Sequence, residues 1–88
     1  MRGKRELESI AKGVANHRRI EILLLLSKAP GLPIVDIADK LGIHFQNAAQ
    51  HVAKLSVARL VAKQRDLNMV RHSLTPLGEK ILRLLKQL

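Results

Sequence analysis

Residues 34–55, IVDIADKLGIHFQNAAQHVAKL, contain two helical periods separated by a glycine and almost nothing else. Ile34, Ile37, Ala38 and Leu41 recur at helical spacing, and Gly42 follows them as a glycine follows a helix end. A second period then places Ala48, Val52 and Leu55 on one face. Helices joined by so tight a turn must cross steeply, so any fold for this chain has to be built around a crossed pair. Ala38 and Gly42 are expected where the pair is most crowded, since small residues there let the helices approach.

The flanking segments extend the pattern. Leu7, Ile10, Ala11 and Val14 predict a first helix over about 5–15, preceded by a basic arm, residues 1–5. Asn16 suits an N-cap for a second helix over about 17–28, with Ile20, Leu23, Leu24 and Ser27 along one face, and APGLP ends it. The crossed pair follows at about 34–41 and 44–57. Two strand-like runs, about 60–65 and 70–75, flank Asp66-Leu67-Asn68-Met69, where Asn68 is expected to take the left-handed conformation. Thr75-Pro76 opens a last helix over about 76–87 with the stripe Leu77, Ile81, Leu84, Leu85 and Leu88. The prediction is a mainly α single domain over residues 1–88, with five helices and a small β-hairpin. This is the layout of a winged helix-turn-helix.

Charge indicates the partner. The 88 residues hold 16 Lys and Arg against 7 Asp and Glu, for a net charge of +9. That excess points to a polyanion. Phe45 is the only aromatic residue, and single-strand binders rely on aromatic platforms worth about 1–3 kcal/mol per base. Double-stranded DNA is therefore the expected partner. The absence of cysteine excludes disulfides and thiolate metal sites. The longest apolar run, Ile22–Leu26, is far below the roughly 20 residues that span a bilayer. No signal-peptide pattern follows the basic N-terminus, so a cytoplasmic protein without a membrane partner is expected.

Four stretches carry a family resemblance. ANHRRIEILLLL at 15–26 resembles the opening of ArsR-type repressors. IADKLGIHFQNAAQHVAKL at 37–55 is similar to the helix-turn-helix that they share with MarR-type regulators. ARLV at 58–61 and SLTPLGEKIL at 73–82 look like the entry to the wing and the exit from it. The resemblance implies a transcriptional regulator. The chain departs from the pattern at Arg59, where glycine is usual, at Pro33, where a hydroxyl cap is common, and at the wing tip, where Leu67 and Met69 replace Gly and Arg. The cysteine-pair metal site of ArsR-type proteins falls on Pro33 and Val35, which cannot ligate, and the last helix offers only Glu79. His17, His44, His51 and His72 are scattered. No metal or cofactor is expected.

Recognition helices of this kind point their N-terminal half at base edges in the major groove. With Ala48, Val52 and Leu55 facing the core, the base-reading candidates are His44, Gln46, Asn47 and Gln50. Gln and Asn pair bidentately with adenine, whereas Arg is the usual reader of guanine. Residues 31–55 carry two lysines and two aspartates and hence no net charge, so phosphate must be held elsewhere. The backbone candidates are Arg18, Arg19, Lys54, Arg59, Lys63, Arg65 and Arg71. His51 is expected to make a structural hydrogen bond, His44 to act as an imperfect cap or a phosphate contact, Phe45 to cover the core or a neighbouring helix rather than a thymine methyl, and Leu67 and Met69 to pack on the protein's own body rather than wedge into a minor groove.

The stripes of the first and last helices exceed what so small a core can cover. Leu7, Ile10, Val14, Ile81, Leu84, Leu85 and Leu88 are thus the expected homodimer interface. The function read from the sequence is a homodimeric, DNA-binding transcriptional regulator. The alternative is an architectural or protein-interaction winged helix with weak sequence preference. An enzyme is not expected: Asp36 and Asp39 have no nucleophile, phosphate loop or metal constellation beside them.

Overall fold

The helix over His17–Lys28 begins where Asn16 is extended and its Oδ1 accepts the Arg18 N–H at 2.8 Å. This is α2. In the computed structural model, which describes residues 3–14 and 16–88, it is preceded by α1, Lys4–Val14, and followed by α3, Ile34–Leu41, and α4, Phe45–Val57. Strands β1, Val61–Asp66, and β2, Met69–Leu74, form an antiparallel hairpin, and α5, Pro76–Lys86, completes the chain. Arg2 of the expected arm and Ala15 of the expected first helix lie outside the described residues, as does the side chain of Val14. Lys4 and Arg5, assigned to the arm from sequence, form the first turn of α1. Among the described residues no helix is long and apolar enough to cross a membrane.

The crossed pair is held by a Schellman end. Gly42 takes φ 64°, its N–H reaches the Asp39 carbonyl, and the Ile43 N–H reaches the Ala38 carbonyl. A Cβ on Gly42 would meet nothing within 4 Å, so the glycine is there for its backbone angle and not, as expected, for close packing. Ala38 does sit in the core.

The same hydrogen-bond pattern closes α4. The Arg59 N–H donates to the Ser56 carbonyl and the Leu60 N–H to the Leu55 carbonyl, with Arg59 at φ 63° where Gly42 stood in the first case. Arginine therefore occupies a glycine position, and Thr75 Oγ1 donates to its carbonyl at 2.7 Å. That hydroxyl also accepts the Gly78 N–H, capping α5 as Thr75-Pro76 predicted.

Ile22, Leu23 and Leu26 of α2, Ile37 and Ala38 of α3, Ala48, Val52 and Leu55 of α4, Leu60, Val61 and Leu82 form the core. The buried stripe of α2 thus differs from the one read in sequence: Leu23 is shared, but Ser27 is exposed and Ile20 and Leu24 are half-buried. Ile20 and the unbroken run Ile22–Leu26, interrupted only by Glu21, hid the phase of the helix. Gly78 of α5 lies so close to the Leu60 carbonyl that a Cβ there would stand 2.1 Å from the oxygen.

The hairpin runs in the register Val61↔Leu74 to Asp66↔Met69, so only Leu67 and Asn68 form its turn. Leu67, at φ 57°, takes the left-handed angle, not Asn68 as expected. Positive φ at the first turn position alone is the II′ pattern, in which Gly is usual. At the root of the hairpin, His72 is buried and the Leu32 carbonyl accepts both its backbone N–H and its Nδ1–H, each at 2.9 Å. Since a carbonyl can only accept, the Nδ1 tautomer is set.

Candidate nucleic-acid interface

Among the described residues, the outer face of α4 holds no side-chain hydrogen bond to the rest of the protein. Ala48, Val52 and Leu55 are fully buried, which turns Gln46, Asn47, Gln50 and Lys54 outward. All four are exposed, and none makes a side-chain hydrogen bond or ion pair among the described residues. His44 is different: its Nδ1 accepts the Gln46 N–H at 3.3 Å as the N-cap of α4, leaving its other ring nitrogen as the atom available to a ligand. The cap expectation is met, with a long bond.

Behind this face, Arg19 ties the helices together. Its Nη1 donates to the Lys12 carbonyl at the end of α1, and its Nε donates to His51 Nδ1 of α4 at 3.3 Å. His51 accepts only when that nitrogen is unprotonated. Burial, reinforced by the charges of Arg19, Arg18 and His17, holds its pKa below the usual value. Arg18 is paired with Glu21 at 3.1 Å.

The wing presents the cations. Lys63 and Arg65 stand on one face of β1 beside the start of α3 and α4, and with Val35, Phe45 and Met69 they line an open groove of about 1040 Å³. Both are exposed and unpaired among the described residues, as is Arg59. Arg71 is committed internally: its Nε donates to Asp66 Oδ2 and its Nη1 to the Gly31 carbonyl, both at 3.0 Å. This neutralises the single acid of the wing and pins the hairpin to the loop between α2 and α3.

The domain thus presents an exposed, hydrogen-bonding helix face on α4 and a set of free cations on the wing. A family model described as winged helix-turn-helix DNA-binding matches residues 16–61. The chain belongs to this winged helix-turn-helix family. Among solved structures, NolR from Sinorhizobium fredii is similar, with 27% identity, a TM-score of 0.82, and coverage of 94% of this chain and 83% of that one. The homodimeric winged helix-turn-helix DNA-binding domain of a possible ArsR-family transcriptional regulator from Mycobacterium bovis shares 26% identity with a TM-score of 0.78, covering 91% and 71%. The transcriptional repressor PagR of Bacillus anthracis, at 23% identity and a TM-score of 0.81 over 92% and 93%, shares the fold. No curated protein matches the sequence. Its neighbours are ArsR-family and related winged-helix regulators, and this is a winged-helix DNA-binding domain of the type that transcriptional regulators use.

Within this winged helix-turn-helix, three residues depart from their expected surroundings. Phe45 is 51% exposed, Met69 41% and Leu67 90%, so none is packed away as expected. Phe45 lies on the first turn of α4, one step before Ala48 on the stripe that runs through Val52 and Leu55, and it lines the open groove with Val35 and Lys63. Of the seven backbone candidates, Lys54, Arg59, Lys63 and Arg65 are free, while Arg18, Arg19 and Arg71 hold partners within the protein. The positioning roles of Arg19 and Arg71 were not read from the sequence, because their partners lie 32 and 40 residues away. Among the described residues, no cluster of three or more His, Asp or Glu is placed to hold a metal ion.

Proposed function

We propose that this domain is a homodimeric transcriptional regulator that places α4 in the major groove of duplex DNA and its wing on the adjoining backbone. The observation that carries the reading is the exposed face of Gln46, Asn47 and Gln50, unpaired among the described residues, on a domain whose wing carries the free cations Lys63 and Arg65. Carboxamides without a protein partner suit adenine edges, and His44 can add a contact from its uncapped nitrogen. Lys54, Arg59, Lys63 and Arg65 supply phosphate contacts, with Arg18 joining if it leaves Glu21. Arg19 and Arg71 act by positioning α4 and the wing. No catalytic role is proposed, and the location proposed with this role is the cytoplasm.

Dimerisation is supported by apolar residues of α1 and α5 that the core leaves exposed, although Ile81 packs partly against the core. Leu7 of α1, Leu84 of α5 and the terminal Leu88 are 52%, 51% and 100% exposed, and Ile10, Ile81 and Leu85 are half-buried. Pairing through them would cover apolar surface and offer two α4 helices to a twofold site. The M. bovis neighbour is described as homodimeric.

Selection from a random duplex pool followed by competition at physiological salt tests the reading. A regulator should enrich a sequence and prefer it at least about a thousandfold over bulk DNA. A ratio near unity with a steep salt slope would establish a coating protein instead, and no binding at low salt would remove DNA from the account.

A further inference from the structure

Leu67 combines two properties that seldom coincide. It is 90% exposed, and it holds φ 57°, an angle at which a side chain crowds its own backbone. A solvated leucine in a strained turn does nothing for the folding of this chain; glycine or asparagine there would relieve the strain and the exposure together. Strain that folding does not require is a sign of use.

The support beneath the tip is stiff. The ladder continues unbroken to Asp66↔Met69, Arg71 bridges Asp66 to the Gly31 carbonyl, and the Gly31 N–H donates to the His72 carbonyl at 2.9 Å. A flexible hairpin would yield when pressed against a base stack, whereas a braced one transmits the force. Arg65 stands one pair below the tip and Lys63 lies on the same face nearer the root, and Asp66, the acid of the wing, is neutralised by Arg71. The tip is therefore an apolar point on a cationic mount.

We infer that Leu67 is a wedge that enters the minor groove of duplex DNA and opens a base step, so that this protein bends its target as it binds. The inference rests on the DNA-binding reading above. The occupant is chosen by charge: Lys63 and Arg65, on one face of β1, meet the phosphates along one wall of the minor groove while the leucine enters it. A second copy of the tip would bring like charges together. Leucine offers no hydrogen bond, so it reads deformability, and the steps that open most easily are TA and CA. The wing thereby adds a sequence preference that α4 does not supply.

The test uses the full chain and a duplex enriched from a random pool, with fluorophores at its two ends to report bending and 2-aminopurine placed in turn at each step flanking the α4 site. The native protein should bend the duplex and raise 2-aminopurine fluorescence at one step on each side, and replacing a TA or CA step there by an A-tract should weaken binding about tenfold. Leu67→Gly, which removes the wedge and the backbone strain together, should unfold at a higher urea concentration, lose the fluorescence rise and bind about tenfold more weakly. Lys63→Ala should weaken binding and flatten the salt dependence while the bend persists. If Leu67→Gly bends the duplex and lights the same step as the native chain, the wedge is wrong although DNA binding stands. If Leu67→Gly changes only the assembly mass in light scattering, the tip is a contact between copies. If the native chain binds no duplex, the wedge and the regulator reading fall together.

Discussion

The outer face of α4 and the wing follow one another in the chain, yet they are built on opposite terms. The helix carries carboxamides on relaxed backbone, with a core stripe beneath and a cap at its start, and it bears almost no charge. The wing carries lysine and arginine on a two-strand ribbon whose turn is strained at Leu67 and whose root is strained at Arg59. A helix can present a reading face cheaply because burial of its opposite face holds it in place. A ribbon of two strands has too little buried surface for that. This one is held instead by point attachments: Arg71 to Gly31, His72 to Leu32, Thr75 to Arg59, and Leu60 against Gly78.

The sharpest way to break the comparison is at the joint the two regions share. Leu60 leads from α4 into β1, and Gly78→Ala would drive a methyl into its carbonyl. Urea unfolding should show a loss of about 3 kcal/mol or more, because the atoms the methyl would meet are all backbone atoms of Leu60 and cannot rotate away. Next in size is the division of labour itself. Replacing Gln46, Asn47 and Gln50 with Ala should remove about 1–3 kcal/mol of discrimination for each base that is no longer read, seen in competition against bulk DNA, with the salt slope unchanged. Replacing Lys63 and Arg65 with Ala should do the converse. Affinity should fall for all sequences alike, and the slope of log K against log salt should become shallower by about two.

Smaller effects probe the strain and the brace. Arg59→Gly should raise stability by about 1 kcal/mol, since glycine takes φ 63° without crowding, and it should weaken DNA binding through the missing charge. A stability that falls would mean that the arginine side chain contributes more through its packing than its backbone strain costs. The least effect is expected from pH. His51 has its pKa lowered from 6.5 in the folded protein, so the unfolded chain binds the extra proton first. The stability it contributes is complete above the ordinary histidine value and declines as pH falls through that value toward the folded one. Urea midpoints followed from about pH 8 to about pH 5 should drop, and His51→Gln, which keeps an acceptor for Arg19 without titrating, should flatten that part of the decline.

Much of this was legible in the residues. The caps at Asn16 and Thr75, the glycine end at Gly42 and the buried trio Ala48, Val52 and Leu55 all emerged from spacing, because each is settled within one or two turns of chain. The phase of α2 was not legible, since a run of aliphatic residues has no polar marker to orient it. Phe45 is only half covered, although a lone aromatic is usually buried, because the first turn of α4 opens onto the groove shared with α3 and the wing, a long-range arrangement that local period does not carry.

By itself the sequence determined the order of elements, the crossed helix pair, the basic excess and the neutrality of the recognition helix, all of which follow from residue type and local period. Only the tertiary structure decided which cations are free. Arg19, Arg71, Lys63 and Arg65 are equivalent as letters, and they part company because contacts spanning 32 and 40 residues engage the first two and leave the others to solvent. It also decided that Arg59 and Leu67 hold the left-handed angle. Helix closure and strand register demand that angle at fixed places in the chain, whichever residue stands there.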